Sequence, residues 1–181
     1  MSRIGKMPIH LPEGVSVEVN GTEIAVSGKL GKLTRTVDTC VKIEKNENEL
    51  VLTRESEDKE VKAKHGLYRA LINNMVHGVS EGYTKELLVK GVGYRLQKQG
   101  NKLVMNIGFS KPVEVVEPEG IKIEAPEADK IAVSGIDKEL VGQVAAKIRA
   151  IKPVEPYHLY GIRYVDEVVV QKEGKKVAAK K

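Results

Sequence analysis

Polar and apolar residues alternate over short stretches near the start of the chain. VSVEV at 15–19 meets Asn20-Gly21 and then TEIAV at 22–26. A period of two marks a strand with one face buried, and Asn-Gly between two such runs is a strong hairpin signal. A glycine-containing turn leads to a third run, LTRTV at 33–37. The order then recurs: VGYRL at 92–96, Gln99-Gly100, LVM at 103–105, a turn at Gly108 and PVEVV at 112–116. An offset of roughly 80 residues is long for a solenoid and suits a duplicated domain.

The later segments pair off as well. VKIE at 41–44 answers IKIE at 121–124, and LVLT at 50–53 answers IAVS at 131–134. Each half closes on a helical period. In the first, Leu67, Leu71 and Met75 share a face, with Ala63, Ile72 and Val76 beside them. In the second, Leu140, Val144 and Ile148 do so, with Val141, Ala145 and Ile151 alongside. Asp137 is placed to cap that helix, and Pro153 forbids its continuation, so it should end near Ile151.

Strands followed by one helix, twice, predict an α+β fold of two tandem repeats. Each repeat should be an antiparallel or mixed β-sheet with one helix packed on a face. The expected division is 1–81 for the first repeat, 82–152 for the second and 153–181 for a C-terminal extension. A short strand at Val168-Val169-Val170 is expected to anchor that extension to the second sheet.

Composition narrows the picture. Hydrophobic residues make up 41% of the 181 positions, enough for real cores, but aromatics only 4%, with one Phe and no Trp. The cores are therefore aliphatic, and no aromatic stacking platform for single-stranded RNA is evident. Cys40 stands alone, which excludes an internal disulfide and a cysteine metal cluster. The opening residues lack an apolar targeting core, and no apolar run approaches the roughly 18 residues of a membrane span. A cytoplasmic protein with no membrane partner is expected.

Charge is segregated. The net +5 includes a stretch at 61–111 with nine Lys/Arg against two Asp/Glu, and one at 152–181 with seven against four. The intervening 112–151 has five against eight. Basic blocks of this kind are expected where one surface meets phosphates, although a solvated charged face has the same signature.

The run KPVEPYHLYGIRY at 152–164 carries the most chemistry. Two prolines pin φ, so a stiff extended loop is expected. It offers Lys152, Tyr157, His158, Tyr160, Arg163 and Tyr164 as donors or stacking faces, and Gly161 as a point of close backbone approach to a phosphate. The tail from Gln171 adds Lys172, Lys175 and Lys176, either as a solubilising end or as an arm that orders on RNA. A second candidate is KGVGYR at 90–95, where Lys90 and Arg95 flank two glycines. It lacks the third glycine and the helix of a dinucleotide fingerprint, and reads equally as a bulge shaping a sheet.

The run PVEPYHLYGIRYVDEVVVQKEGKK resembles the C-terminal signature of the bacterial large-subunit ribosomal protein six family. The N-terminal SRIGKMPI with PEGV, and the central LLVKGVGYR with GFSKPV, are similar to that family too, so the resemblance spans essentially the whole chain. It implies a protein without catalysis or cofactor, docked chiefly through its C-terminal half onto large-subunit rRNA. The family sits near the sarcin–ricin loop and the stalk base, beside neighbouring ribosomal proteins and close to where translational GTPases bind. One departure stands out. Where the family usually has Lys-Gly-Lys, this chain has His158-Leu159-Tyr160, which puts phosphate contacts there in question and leaves Arg163 as the leading single residue.

Two other classes remain to be weighed. An RNA-processing or RNA-modifying enzyme would need a pocket of convergent polar groups with perturbed pKa values. A protein-interaction module would expose an apolar patch instead of a cationic one. Histidines at 10, 65, 77 and 158 share no metal-ligand spacing.

Overall fold

The computed structural model describes residues 4–46 and 48–175. The chain divides into two compact units, Met1–Tyr83 with Gly135–Lys138, and Thr84–Ser134 with Glu139–Lys181.

The first unit contains β1 (Ile9–His10), β2 (Ser16–Asn20), β3 (Glu23–Gly28), β4 (Gly31–Thr36), β5 (Val41–Asn46), β6 (Glu49–Arg54) and α1 (Lys59–Ser80). β2, β3 and β4 form one antiparallel sheet; β1, β6 and β5 form another, in that order. Gly21, at φ +62, turns the β2–β3 hairpin as its Asn-Gly signal requires. α1 touches β3, β4, β5 and β6, so one helix covers both sheets. Ile9, Val17, Ile24, Val26, Leu50, Leu52, Ile72 and Val76 are among the buried side chains of this core.

The second unit repeats the plan with β7 (Tyr83–Lys90), β8 (Arg95–Gln99), β9 (Lys102–Asn106), β10 (Val113–Val116), β11 (Ile121–Glu127), β12 (Lys130–Gly135), α2 (Lys138–Ile151) and β13 (Gly161–Tyr164). The order β10-β9-β8 mirrors β4-β3-β2, and β11-β12-β7 mirrors β5-β6-β1, with β13 added beyond β7. The α+β class and the tandem duplication are borne out, with the strands of each repeat divided between two small sheets. Buried side chains here are aliphatic or Met, among them Leu87, Val89, Leu103, Met105, Ile123, Ile131, Ile148 and Ile162.

Four details differ from the sequence expectation. Leu67 is 53% exposed, and the buried stripe of α1 runs instead through His65, Ile72, Met75, Val76 and Val79. His65 is accepted there because its Nε2 donates to the Leu52 carbonyl at 2.9 Å, while Nδ1 lies 3.4 Å from Arg54 Nη1. A hydrophobic period cannot register a polar residue satisfied in this way. Residues 91–94 form a turn, not the start of a strand: Gly93 has φ +76, and Tyr94 N–H donates to the Gly91 carbonyl at 3.4 Å. Val168 and Val170, 90% and 77% exposed, lie in no strand, because β13 already occupies the ladder beside β7. β7 itself, with Leu87 and Val89 inside, went unread in the sequence.

Candidate nucleic-acid interface

The site grows from the end of α2. Pro153 lacks the N–H that another helical turn would use, and the chain leaves the helix after Ile151. Residues 153–160 form a loop closed by Glu155 N–H donating to the Tyr160 carbonyl at 3.0 Å. The exit strand is pinned by Ile162 N–H donating to the Lys152 carbonyl at 2.8 Å. A Cβ on Gly161 would stand 2.6 Å from the Pro153 carbonyl oxygen. The close approach at this buried glycine is thus made by the loop's own backbone.

β13 runs antiparallel to β7, with Gly161 opposite Lys90, Ile162 opposite Val89, Arg163 opposite Leu88 and Tyr164 opposite Leu87. Opposed residues share a face, and faces alternate along each strand. Ile162 and Val89 are buried, so Arg163, Leu88 and Lys90 share the other face. On that face Arg163 and Lys90 are diagonal neighbours, about 7–8 Å apart by sheet geometry. Two candidates distant in sequence are thereby brought together. The half-buried Arg163 side chain makes no hydrogen bond to a described residue, although its charge helps to hold the Glu167 carboxyl down; Lys90 is exposed.

Tyr164 lies on the opposite face, bound into the scaffold. The Lys85 ammonium and the Arg149 guanidinium are each 5.7 Å from its ring centre. Arg149, on α2, donates to both carboxylate oxygens of Glu167, with Nε to Oε2 at 2.8 Å. Tyr164 N–H donates to Glu167 Oε2 at 3.2 Å. The Arg149 hydrogen bonds hold the Glu167 carboxyl below the usual carboxylate range, helped by the Tyr164 N–H and opposed by burial.

After β13 the chain doubles back. Lys172 N–H donates to the Pro156 carbonyl, and Gln171 Nε2 to the Tyr157 carbonyl, both at 2.8 Å. Tyr157, His158, Gln171, Lys172, Glu173 and Gly174 then line a depression of about 610 Å³. His158 Nδ1 is 3.3 Å from Glu155 Oε1, and its ring stacks on Tyr160 with centroids 5.5 Å apart. Between them Leu159 has φ +62, a left-handed conformation that is costly for a branched side chain.

Lys152 is engaged from within. Its ammonium donates to the Ile107 carbonyl at 2.7 Å and lies 5.1 Å from the ring centres of both Tyr94 and Phe109. Arg95 opens β8 on the surface, and Lys175 is exposed near the end of the described chain; Lys176 lies outside the described residues. The sequence did not point to Arg149, Glu167, Tyr94 or Phe109. Arg149 and Glu167 meet across a loop at a separation that no periodicity marks, and Phe109 belongs to no periodic apolar pattern.

Other chemistry is sparse among the described residues. No group of His, Cys, Asp and Glu could hold a metal ion. The lowered carboxylates Asp38, Glu55, Glu57, Glu117, Glu124 and Glu167 each owe the shift first to a hydrogen bond from Lys or Arg. None of them lines the depression beside Tyr157. No helix is long and apolar enough to cross a membrane.

Fold and site together define a duplicated α+β scaffold with a strapped, cation-bearing C-terminal edge. The family described as ribosomal protein L6 matches residues 11–82 and again 90–165. A large ribosomal subunit protein uL6 of Carboxydothermus hydrogenoformans is 53% identical over 175 residues, covering 97% of this chain and 96% of that protein. Its counterpart in Clostridioides difficile is 52% identical over 176 residues, 97% and 98% respectively. That of Gloeothece citriformis is 50% identical over 175 residues, again 97% and 98%. The chain belongs to the ribosomal protein L6 family.

Proposed function

We propose that this chain is a non-catalytic structural component of the large ribosomal subunit, acting in the cytoplasm, that grips large-subunit rRNA mainly through its C-terminal half. One observation carries the reading of the site. In the second unit Lys85, Lys98, Lys102, Lys122, Lys130 and Arg149 each pair with a carboxylate. Lys90, Arg95, Lys172 and Lys175 are exposed and make no ion pair with a described residue; Lys152 is bound to the Ile107 carbonyl, and the carboxylate that Arg163 acts on, Glu167, is already held by Arg149. Cations kept on a protein surface without internal counter-charge are the ones that can release counterions from a phosphate backbone.

Residues 153–181 act in this reading as an RNA-binding extension of the second of two repeats, 1–81 and 82–152. The strapped loop fixes the spacing of its charges in advance, so little ordering entropy is lost on binding. His158 and Tyr160 supply hydrogen bonds or ring faces where the family more often has lysines, with Tyr157 beside them. The reading extends to a location near the sarcin–ricin loop and stalk base, close to translational GTPases, for which the resemblance of the C-terminal run to the family is the support. The Arg163→Ala variant tests the reading. It should weaken binding to a large-subunit rRNA fragment and lower the salt slope by about one unit. Equal affinity and slope in parent and variant would remove Arg163 from the interface.

A further inference from the structure

We infer that the second unit carries a base-stacking contact for unpaired RNA at the tip where Tyr94, Phe109 and Lys152 meet, with Phe109 as the stacking ring. The inference deepens the rRNA-binding reading and rests on it.

Phe109 is the chain's one Phe, yet it is 50% exposed. It is not a loose side chain. The Lys152 ammonium, fixed by its bond to the Ile107 carbonyl, sits 5.1 Å from the Phe109 ring centre and at the same distance from that of Tyr94. Tyr94 in turn lies across Gly91, where an added Cβ would stand 2.4 Å from the ring. Two rings and a cation are therefore locked together at the ends of two neighbouring turns, with half of the Phe109 surface open.

Charge selects the occupant. No Asp or Glu occurs from residue 87 to residue 113. Arg95 and Lys111, which the strand register brings to the same end of the β8–β9–β10 sheet, are exposed and make no ion pair with a described residue. Lys98 and Lys102 within the same stretch are paired with Glu117 and Glu114. An apolar ring in a stretch that carries uncompensated cations and no acidic residue suits a polyanion that also presents flat apolar faces. RNA bases do so only when unpaired, since bases in a duplex are stacked on one another. A protein partner would have to bring its own acidic surface to a ring that offers it little apolar area.

The test uses the full chain and two labelled probes, a single-stranded oligoadenosine and a blunt RNA duplex of equal length, titrated by anisotropy across salt concentrations. Phe109→Ala should lower affinity for oligoadenosine by about 5- to 150-fold, with the salt slope and duplex affinity unchanged. Phe109→Leu, which keeps apolar bulk without a ring, should lose most of the same affinity, so a folding loss in the alanine variant would not decide the outcome. Unchanged oligoadenosine affinity in both variants would overturn the inference and leave the ring to a protein contact or to none. Equal losses on both probes would overturn it too, reducing Phe109 to shaping its loop. If the parent binds the duplex alone, the base contact falls while the rRNA reading stands; if it binds neither probe nor an rRNA fragment, both fall.

Discussion

Gly161 sits directly opposite Lys90 across the β7–β13 ladder, and its missing side chain leaves the room that the Pro153 carbonyl occupies. The glycine therefore does two things: it adopts φ +138, and it lets the loop close over the strand. Gly161→Ala would force a Cβ within 2.6 Å of that carbonyl oxygen. The expected cost is about 2 kcal/mol or more. Urea denaturation should show a lower midpoint, and an unchanged midpoint would mean that the loop is not held as described.

Leu159 raises the converse question, since it holds a left-handed backbone at φ +62 with a branched side chain. That conformation costs an L-residue roughly 1–2 kcal/mol, which glycine escapes. Leu159→Gly should therefore be more stable than Leu159→Ala by about 1 kcal/mol, the reverse of the usual ranking in regular structure. Thermal melts of the two variants decide it: alanine equal to or above glycine would place the strain elsewhere.

Much of the fold was legible because its signals are local. Asn20-Gly21 turns the first hairpin, VKIE and IKIE both became strands, and Pro153 stopped α2 where expected. Signals that depend on distant partners were not legible. Val168 and Val170 look like a strand in isolation, but a strand needs an open ladder, and β13 had taken it. The cations of the candidate interface could be named one by one, yet the sequence could not show that Arg163 and Lys90 share a sheet face. Nor could it separate Lys98, spent on Glu117, from Arg95, which is not.

The stripe of α1 offers a test of the same lesson. Leu67 fits a helical period with Leu71 and Met75, but it is 53% exposed, whereas Ile72 is wholly buried. Leu67→Lys should change stability by no more than about 0.5 kcal/mol. Ile72→Ala should cost about 2–5 kcal/mol, since its neighbours cannot collapse fully into the space. Comparable losses for both variants, by chemical denaturation, would contradict the helix orientation.

The Arg149–Glu167 clamp should make the C-terminal edge sensitive to acid. Glu167 receives both the Arg149 guanidinium and the Tyr164 N–H, so its carboxyl titrates below its unfolded value. A group with a depressed folded pKa stabilises the fold above the unfolded value, roughly 4.3 for Glu, and that stabilisation is lost as pH falls through the folded value. Other carboxylates shift in the same direction, among them Glu57, held down to about 2 by Arg54 and Lys62, so the parent's acid profile alone would not isolate the clamp. The difference between parent and Glu167→Gln does isolate it. At neutral pH the variant should be less stable by about 1–2 kcal/mol, because an amide cannot match a charged bidentate acceptor. Below pH ~4 the gap should close, since the parent's carboxyl is then becoming neutral as well. Amide exchange at Tyr164 should follow the same course, protected at neutral pH in the parent and not in the variant. A gap that stays constant from pH ~7 to pH ~3 would mean that Glu167 stabilises the edge by packing instead of by charge.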